Sequence, residues 1–402
     1  MSIEPIAFLI ILFAAVVLVS GCQADSFDKP SLTNQLKGTP NDVHALIIDQ
    51  TAKVFRQGDT QEVNVNSEPT GVEIRQDILS KPERDGFLTA VYKSRLINTR
   101  FPFNEMVPSY NIDVPADTGF IVELRVGRQK EDFWTPFYSL GSWGTVPQVN
   151  SKTLKDENGL VDVDYFRSRQ LFDRIQYRVH LCTTDSNRSP VLRRFGLAYS
   201  HTLNDESLAR SYRKPTAPIP RQKWARRIPV PFRSQKLEDE KIRASACSPT
   251  SLAMVLEYRG IDLSTALVAK RVYDPEYKIY GNWARAVQGA YLFGVPGYLA
   301  RFSDWNEVKQ HISNDTPIIA SIKVAPGELR GAPYKSSDGH IFVITGFSED
   351  GDLLVNDPAG ATPQEGLLTY NREDMEKVWF GHGGVGYVLL AQSSKIVDGY
   401  PE

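Results

Sequence analysis

The chain changes its hydrophobic rhythm once. Between about residues 45 and 200, apolar and polar positions alternate in short runs. Phe120-Ile121-Val122-Glu123-Leu124-Arg125-Val126 alternates after its first step, Ile175-Gln176-Tyr177-Arg178-Val179-His180-Leu181 throughout, and Leu192 to Tyr199 loosely. A period of two gives a strand one buried and one wetted face. Gly, Pro, Asn and Asp fill the gaps, as at 113–119 and 148–159. These residues predict an all-β antiparallel sandwich or barrel. From 201 to about 231 prolines and basic residues take over, among them Pro215, Pro218, Pro220, Arg210, Arg213, Lys214, Arg226 and Arg227, and this reads as an extended linker.

The third part, 228–395, mixes periods. Pro249 to Tyr258 carries Leu252, Val255 and Leu256 on one helical face, and Ser303-Asp304-Trp305 opens a second helix with Val308 and Ile312 aligned. Strands are predicted at 317–324, 340–347, 352–356 and 385–391. Helices first and antiparallel strands later point to α+β. The expected organisation is therefore 1–21 signal peptide, 22–44 tether, 45–200 β-sandwich, 201–227 linker and 228–395 α+β domain.

At the amino terminus, Ile6 to Val19 is a run of apolar residues that ends in Val19-Ser20-Gly21-Cys22. Fourteen residues at ~1.5 Å each reach only ~21 Å, short of a ~30 Å hydrocarbon core. A short apolar run before small residues is a secretory signal. Ser20-Gly21-Cys22 resembles a bacterial lipobox, in which the cysteine is acylated (the palmitate class) and becomes the first residue. Met1 to Pro5 holds no Lys or Arg, and the alternative is an uncleaved signal anchor. Gln23 after the cysteine directs such lipoproteins to the outer membrane or outer surface, so the expected location is the bacterial cell envelope, with contact to the membrane through Cys22.

Composition narrows the partners. The 402 residues are 41% hydrophobic and 23% charged, which is globular. Lys plus Arg total 46 against 48 for Asp plus Glu, and a net charge of −2 gives no basic excess for nucleic acid. Three cysteines, Cys22, Cys182 and Cys247, are too few for a disulfide framework and have no zinc spacing, and no cofactor or metal is expected. Cys182 ends an alternating strand and reads as a small buried hydrophobe.

Chemistry gathers in the third part. Cys247 precedes Ser248-Pro249-Thr250-Ser251 and an apolar helical stripe, so it sits at a helix amino terminus, where free N–H groups and the macrodipole favour a thiolate. A thiolate nucleophile needs a proton acceptor oriented by a carboxylate or amide. His340 heads a strand, and Asp357 ends the strand that returns from the turn at 348–351. A four-residue loop pairs Phe347 with Asp352 and sets Phe342 opposite Asp357, with His340 its diagonal neighbour, roughly 7–8 Å away by Cβ. A two-residue Asp350-Gly351 turn keeps the same parity, whereas an odd loop breaks it. His382, in Gly381-His382-Gly383-Gly384, is the rival base, and His311 lies on a helix without a carboxylate partner.

Residues 228–390 resemble the secreted branch of the bacteriocin-processing (double-glycine) cysteine peptidases, of papain-like fold. The matching segments are 228–235, Cys247-Ser248-Pro249-Thr250-Ser251-Leu252-Ala253-Met254, Asp315-Thr316-Pro317, Gly339-His340-Ile341-Phe342-Val343 and Asn356-Asp357-Pro358. The resemblance implies Cys247 as nucleophile, His340 as general base, Asp357 as its orienting residue and Gln235 as the side chain that holds the oxyanion with the Cys247 N–H. The Gln235-to-Cys247 spacing is loose for the family, and Ser248 stands where Gly is common. Upstream, Phe101-Pro102-Phe103-Asn104-Glu105-Met106-Val107-Pro108-Ser109-Tyr110 and Ser189-Pro190-Val191-Leu192 resemble a sandwich domain that often precedes this peptidase domain. No Gly-x-x-x-x-Gly-Lys-Ser/Thr loop is present, so leader export is not implied.

The expectation is thus a lipid-anchored, extracytoplasmic cysteine peptidase cleaving peptide or isopeptide bonds, with a peptide or protein as substrate and cell-wall peptide suggested only by location. Two alternatives stand beside it. One is an acyltransferase on the same fold. The other is a non-catalytic surface protein binding through the aromatics Phe133, Trp134, Phe137, Tyr138 and Trp143, which could instead fill a sandwich core.

Overall fold

The computed structural model describes residues 38–39, 41–79, 86–147, 154–163, 165–213 and 218–391. Cys22, Gln23 and the apolar run before them lie outside these residues. Among the described residues no helix is long and apolar enough to cross a membrane.

The amino-terminal part is an antiparallel sandwich of one hydrogen-bonded network. Its two longest strands, Ile97–Asp113 and Tyr165–Thr183, each change partner midway. The first pairs with Tyr165–Thr183 up to Met106 and with Val191–His201 from Glu105 to Asp113. The second turns from Ile97–Asp113 to pair with Leu88–Lys93 and Thr118–Arg128 on its two edges. Strands that switch partner form the corners of the sandwich. Tyr177 stacks on Phe195 with 3.8 Å between centroids, and Tyr110 meets Phe120 edge-on at 5.3 Å, which closes the core between the layers.

The dense aromatics divide into two groups. Tyr138 and Trp143 are buried. Phe133, Trp134 and Phe137 are half-buried, and arginines cover their faces. Arg128 lies 4.3 Å from Phe133, Arg125 lies 4.5 Å from Trp134 and 4.8 Å from Phe137, and Arg178 lies 4.1 Å from Phe137. A face already covered by a guanidinium is not a free stacking platform for a ligand. Cys182 is fully buried, and burial raises its pKa to about 11.

The segment expected to be an extended linker holds two short helices, Glu206–Tyr212 and Arg221–Trp224. Asp205 caps the first by accepting from the Leu208 N–H. Three of the arginines here are used internally. Arg213 donates to the Asp42 carbonyl, Arg226 to the Ile312 carbonyl and Asp315, and Arg227 to Thr345 and Asn356.

The carboxy-terminal part is α+β. Its six-stranded antiparallel sheet runs in the order Gly297–Arg301, Val385–Leu389, Ile318–Val324, Ser337–Phe347, Leu353–Asn356, Leu367–Tyr370. The Cys247–Tyr258 helix packs on the Ser337–Phe347 strand, and the Thr265–Val272 and Trp283–Leu292 helices cover its other side. Every residue from Ser248 to Leu256 is therefore buried, not the single stripe expected. Together the two parts make the β-sandwich plus papain-like α+β architecture expected from the sequence.

Side chains join the two parts where strand pairing stops. The outer edge of the Gly297–Arg301 strand finds Ser109 Oγ at 3.1 Å from the Leu299 N–H and Asn111 Oδ1 at 3.2 Å from the Gly297 N–H. Gln288, on the Trp283–Leu292 helix, accepts from the Ile112 N–H at 3.0 Å and donates to the Ile112 carbonyl at 2.7 Å. Arg301 and Glu105 form a buried ion pair at 2.5 Å. Buried edges need such partners, because an unsatisfied backbone group costs a full desolvation penalty.

Candidate active site

Cys247 is the first residue of its helix, with Ala246 at the cap and Pro249 in the first turn. The first N–H groups of a helix have no intrahelical acceptor, so proline is tolerated there. The thiol is half-buried. Ser251, one turn on, donates to the Ile341 carbonyl at 3.0 Å and fixes the helix against the neighbouring strand.

His340 lies on that strand and is buried. Its Nε2 is 2.7 Å from Asp357 Oδ1. The bond engages one ring nitrogen and leaves Nδ1 for the thiol. Burial alone disfavours a charged ring, but the Asp357 carboxylate, and after it the Cys247 thiol, outweigh it and push the His340 pKa up to about 10. Burial also works against the Asp357 carboxylate, yet His340, the Tyr370 hydroxyl and the Ala359 N–H hold its pKa below the usual range.

The register that joins His340 and Asp357 arises in a way the sequence reading did not anticipate. Phe347 pairs with Leu353, so five residues, an odd number, separate the strands. A bulge between Ile344 and Gly346 takes up one extra residue, and Val343 then faces Asn356. The two irregularities cancel, and the face shared by His340 and Asp357 is the one expected.

Asp357 uses both oxygens. Oδ1 takes His340 and the Ala359 N–H at 2.9 Å, while Oδ2 accepts from the Tyr370 hydroxyl at 2.7 Å and from the Tyr334 hydroxyl at 3.1 Å. Neither tyrosine was visible from the sequence. Tyr334 lies in an irregular loop and Tyr370 ends a short strand, and no periodicity or spacing ties either to Asp357.

Gln235 opens a short 3-10 turn whose N–H donates to the Pro358 carbonyl at 2.9 Å, which seats it beside the Asp357 segment. Its Nε2 donates to the Arg243 carbonyl at 2.8 Å and so closes the loop leading to Cys247. The amide has a second N–H to offer. The other histidines stay apart. His311 packs edge-on to Phe302 at 5.6 Å, and burial lowers its pKa. His382 lies in the turn into Val385–Leu389, two strands from Ser337–Phe347 in the sheet. Among the described residues no cluster of His, Cys, Asp or Glu could hold a metal ion.

Comparison with known proteins finds a match for each of the two parts. Residues 227–387 match the Peptidase_C39 like family, and residues 47–200 match the Peptidase C39 N-terminal domain. The carboxy-terminal part is a C39-like cysteine peptidase domain. No curated protein matches this peptidase. Among solved structures it is similar to a double glycine motif protease from an AMS/PCAT transporter in complex with the leader peptide. Identity there is 20% and the TM-score 0.28, with 40% of this chain and 92% of that one covered.

Proposed function

We propose that this cysteine peptidase is a lipid-anchored protein of the bacterial cell envelope that hydrolyses peptide or isopeptide bonds through Cys247, His340 and Asp357. The observation that carries the reading is the His340–Asp357 contact at 2.7 Å, with the Cys247 thiol acting on the same ring. Cys182, the other described cysteine, is buried with a raised pKa and is unsuited to attack.

In this mechanism His340 takes the Cys247 proton, and the thiolate attacks the carbonyl carbon of the scissile bond. The negative charge that forms on the carbonyl oxygen is met by the Cys247 N–H and the free Gln235 N–H. His340, now imidazolium, gives its proton to the leaving amine, and the C–N bond breaks to leave a thioester on Cys247. Water, deprotonated by His340, attacks the thioester carbonyl, and the thiolate leaves as the carboxylic acid departs. Asp357 keeps the ring oriented in both halves and stabilises the imidazolium each time it forms.

Incubating the chain with peptide libraries, including cross-linked cell-wall peptides, tests the reading. New amino termini that vanish in Cys247→Ala support it, and an inert wild type contradicts it. Product analysis with an added amine separates hydrolysis from acyl transfer. The lipid on Cys22 is tested by detergent-phase partitioning, where Cys22→Ser should move the chain to the aqueous phase.

A further inference from the structure

The second oxygen of Asp357 is built as carefully as the first. Tyr370 is fully buried, and its ring meets Phe342 edge-on at 5.5 Å between centroids. Tyr334 comes from the loop before the Ser337–Phe347 strand, is half-buried, and lies edge-on to the His340 ring at 4.7 Å. One tyrosine thus approaches the carboxylate from the sheet and the other from the site's rim. Both hydroxyls donate to Oδ2, at 2.7 and 3.1 Å, and a carboxylate so held cannot rotate its Oδ1 away from His340.

We propose that Tyr334 and Tyr370 are positioning residues, which clamp Asp357 Oδ2 so that Oδ1 holds His340 as the charged partner of the Cys247 thiolate. This rests on the Cys247–His340–Asp357 reading above. The titratable groups facing the clamp are few. His340 faces Asp357 from its strand, the two tyrosines face it from the loop and the edge strand, and Cys247 acts through His340 from the helix. Burial, followed by the nearby Asp357 charge, raises the pKa of both phenols, so each stays a donor across the working pH range.

The tyrosines have unlike second duties. Tyr334 also packs edge-on against the His340 ring. Its bond to Oδ2, at 3.1 Å, is the longer of the two. Tyr370 makes the shorter of the two bonds, at 2.7 Å, from a fully buried ring. The clamp should therefore weaken more in Tyr370→Phe than in Tyr334→Phe, although both keep the ring and its packing.

The test is the pH profile of Cys247 alkylation by iodoacetamide in the full chain in detergent, read on the Cys247 peptide by mass spectrometry. Wild type, Tyr334→Phe, Tyr370→Phe and His340→Ala are compared. Removing a hydrogen bond to a charged group should move the acidic limb up by roughly half to one unit in Tyr370→Phe and by less in Tyr334→Phe. That is about a 3–10-fold slower reaction at a fixed pH on that limb, with an unchanged rate on the alkaline plateau. A general loss of structure would instead alter the plateau. If wild type shows a His340-dependent acidic limb and neither phenylalanine variant moves it, the clamp is overturned while the triad stands. If wild type has no such limb, the triad reading itself fails. Should Tyr370→Phe not fold, Tyr334→Phe alone decides, and an unshifted limb there overturns the clamp.

Discussion

Ser251 Oγ donates to the carbonyl of Ile341 at 3.0 Å, one residue beyond His340. The bond joins the helix that Cys247 opens to the strand that carries the base, and both its residues are buried. The thiol and the ring approach each other because two separate elements are pinned at this point. Ser251→Ala should cost about 1–2 kcal/mol in urea unfolding. Cys247 alkylation should also slow a few-fold, because the helix start is free to drift from His340. A stability loss with no change in alkylation would show that the bond serves packing alone.

The charged state of His340 makes stability depend on pH with a definite sign. Its folded pKa, about 10, lies above the ordinary value of 6.5. The folded state therefore binds the proton more tightly than the unfolded chain does. This contribution is complete below pH 6.5 and fades as pH rises through about 10. Asp357, whose pKa is lowered, acts in the opposite sense, with a contribution present above the ordinary carboxylate range and lost as pH falls through its folded value. Urea unfolding from pH 5 to 10 should show falling stability on the alkaline side. Asp357→Asn should flatten that alkaline slope. An equally steep slope in the variant would assign it to other groups.

The joint between the two parts includes a desolvated Arg301–Glu105 pair. Arg301 is wholly buried, Glu105 nearly so, and Arg301 Nε also donates to the Gly383 carbonyl at 2.7 Å. Arg301→Met strands the Glu105 carboxylate and should cost about 3–5 kcal/mol. Adding Glu105→Leu should recover much of the loss, since a buried pair replaced by apolar groups is often near neutral. A double variant no better than the single one would show that the loss comes from the Arg301 bond to Gly383, within the carboxy-terminal part, and not from the pair.

Gln235 separates oxyanion stabilisation from thiolate formation. Gln235→Ala should lower kcat by roughly 10²-fold on any cleaved peptide, within the range seen when an oxyanion donor is removed. Alkylation of Cys247 should stay within about twofold of wild type, because no oxyanion forms in that reaction. If turnover is unchanged, the Gln235 N–H serves only to close the loop at Arg243.

The residues that carry the proposed chemistry were legible because each sits at an element boundary with a local signature. Cys247 precedes a proline in a first helical turn, His340 heads an apolar strand, and Asp357 precedes Pro358. Parity along the hairpin then places His340 and Asp357 on one face. The loop between their strands was misjudged, because a bulge at Thr345 leaves no mark on an apolar run, and only its cancellation by the odd loop preserves the face.

The long strand Ile97–Asp113 carries no strand period in its sequence. It is buried almost throughout from Phe103 onward and contains Pro102 and Pro108, so it lacks the alternation that marks a half-wetted strand. Part of its burial comes from the Gly297–Arg301 strand and the Trp283–Leu292 helix, nearly 200 residues away in sequence. The tyrosines on Asp357 escaped for the same reason, since a contact made from a loop and from an edge strand has no local period.

The most direct test of the paired thiol is the alkylation rate of Cys247 at pH 6, with and without His340. An ordinary cysteine is almost wholly protonated there, about 2–3 units below its usual pKa, and reacts slowly. The account requires ready reaction in the wild type and at least about a tenfold loss in His340→Ala. Equal rates in the two proteins, or a wild-type thiol no faster than a free cysteine, would contradict it.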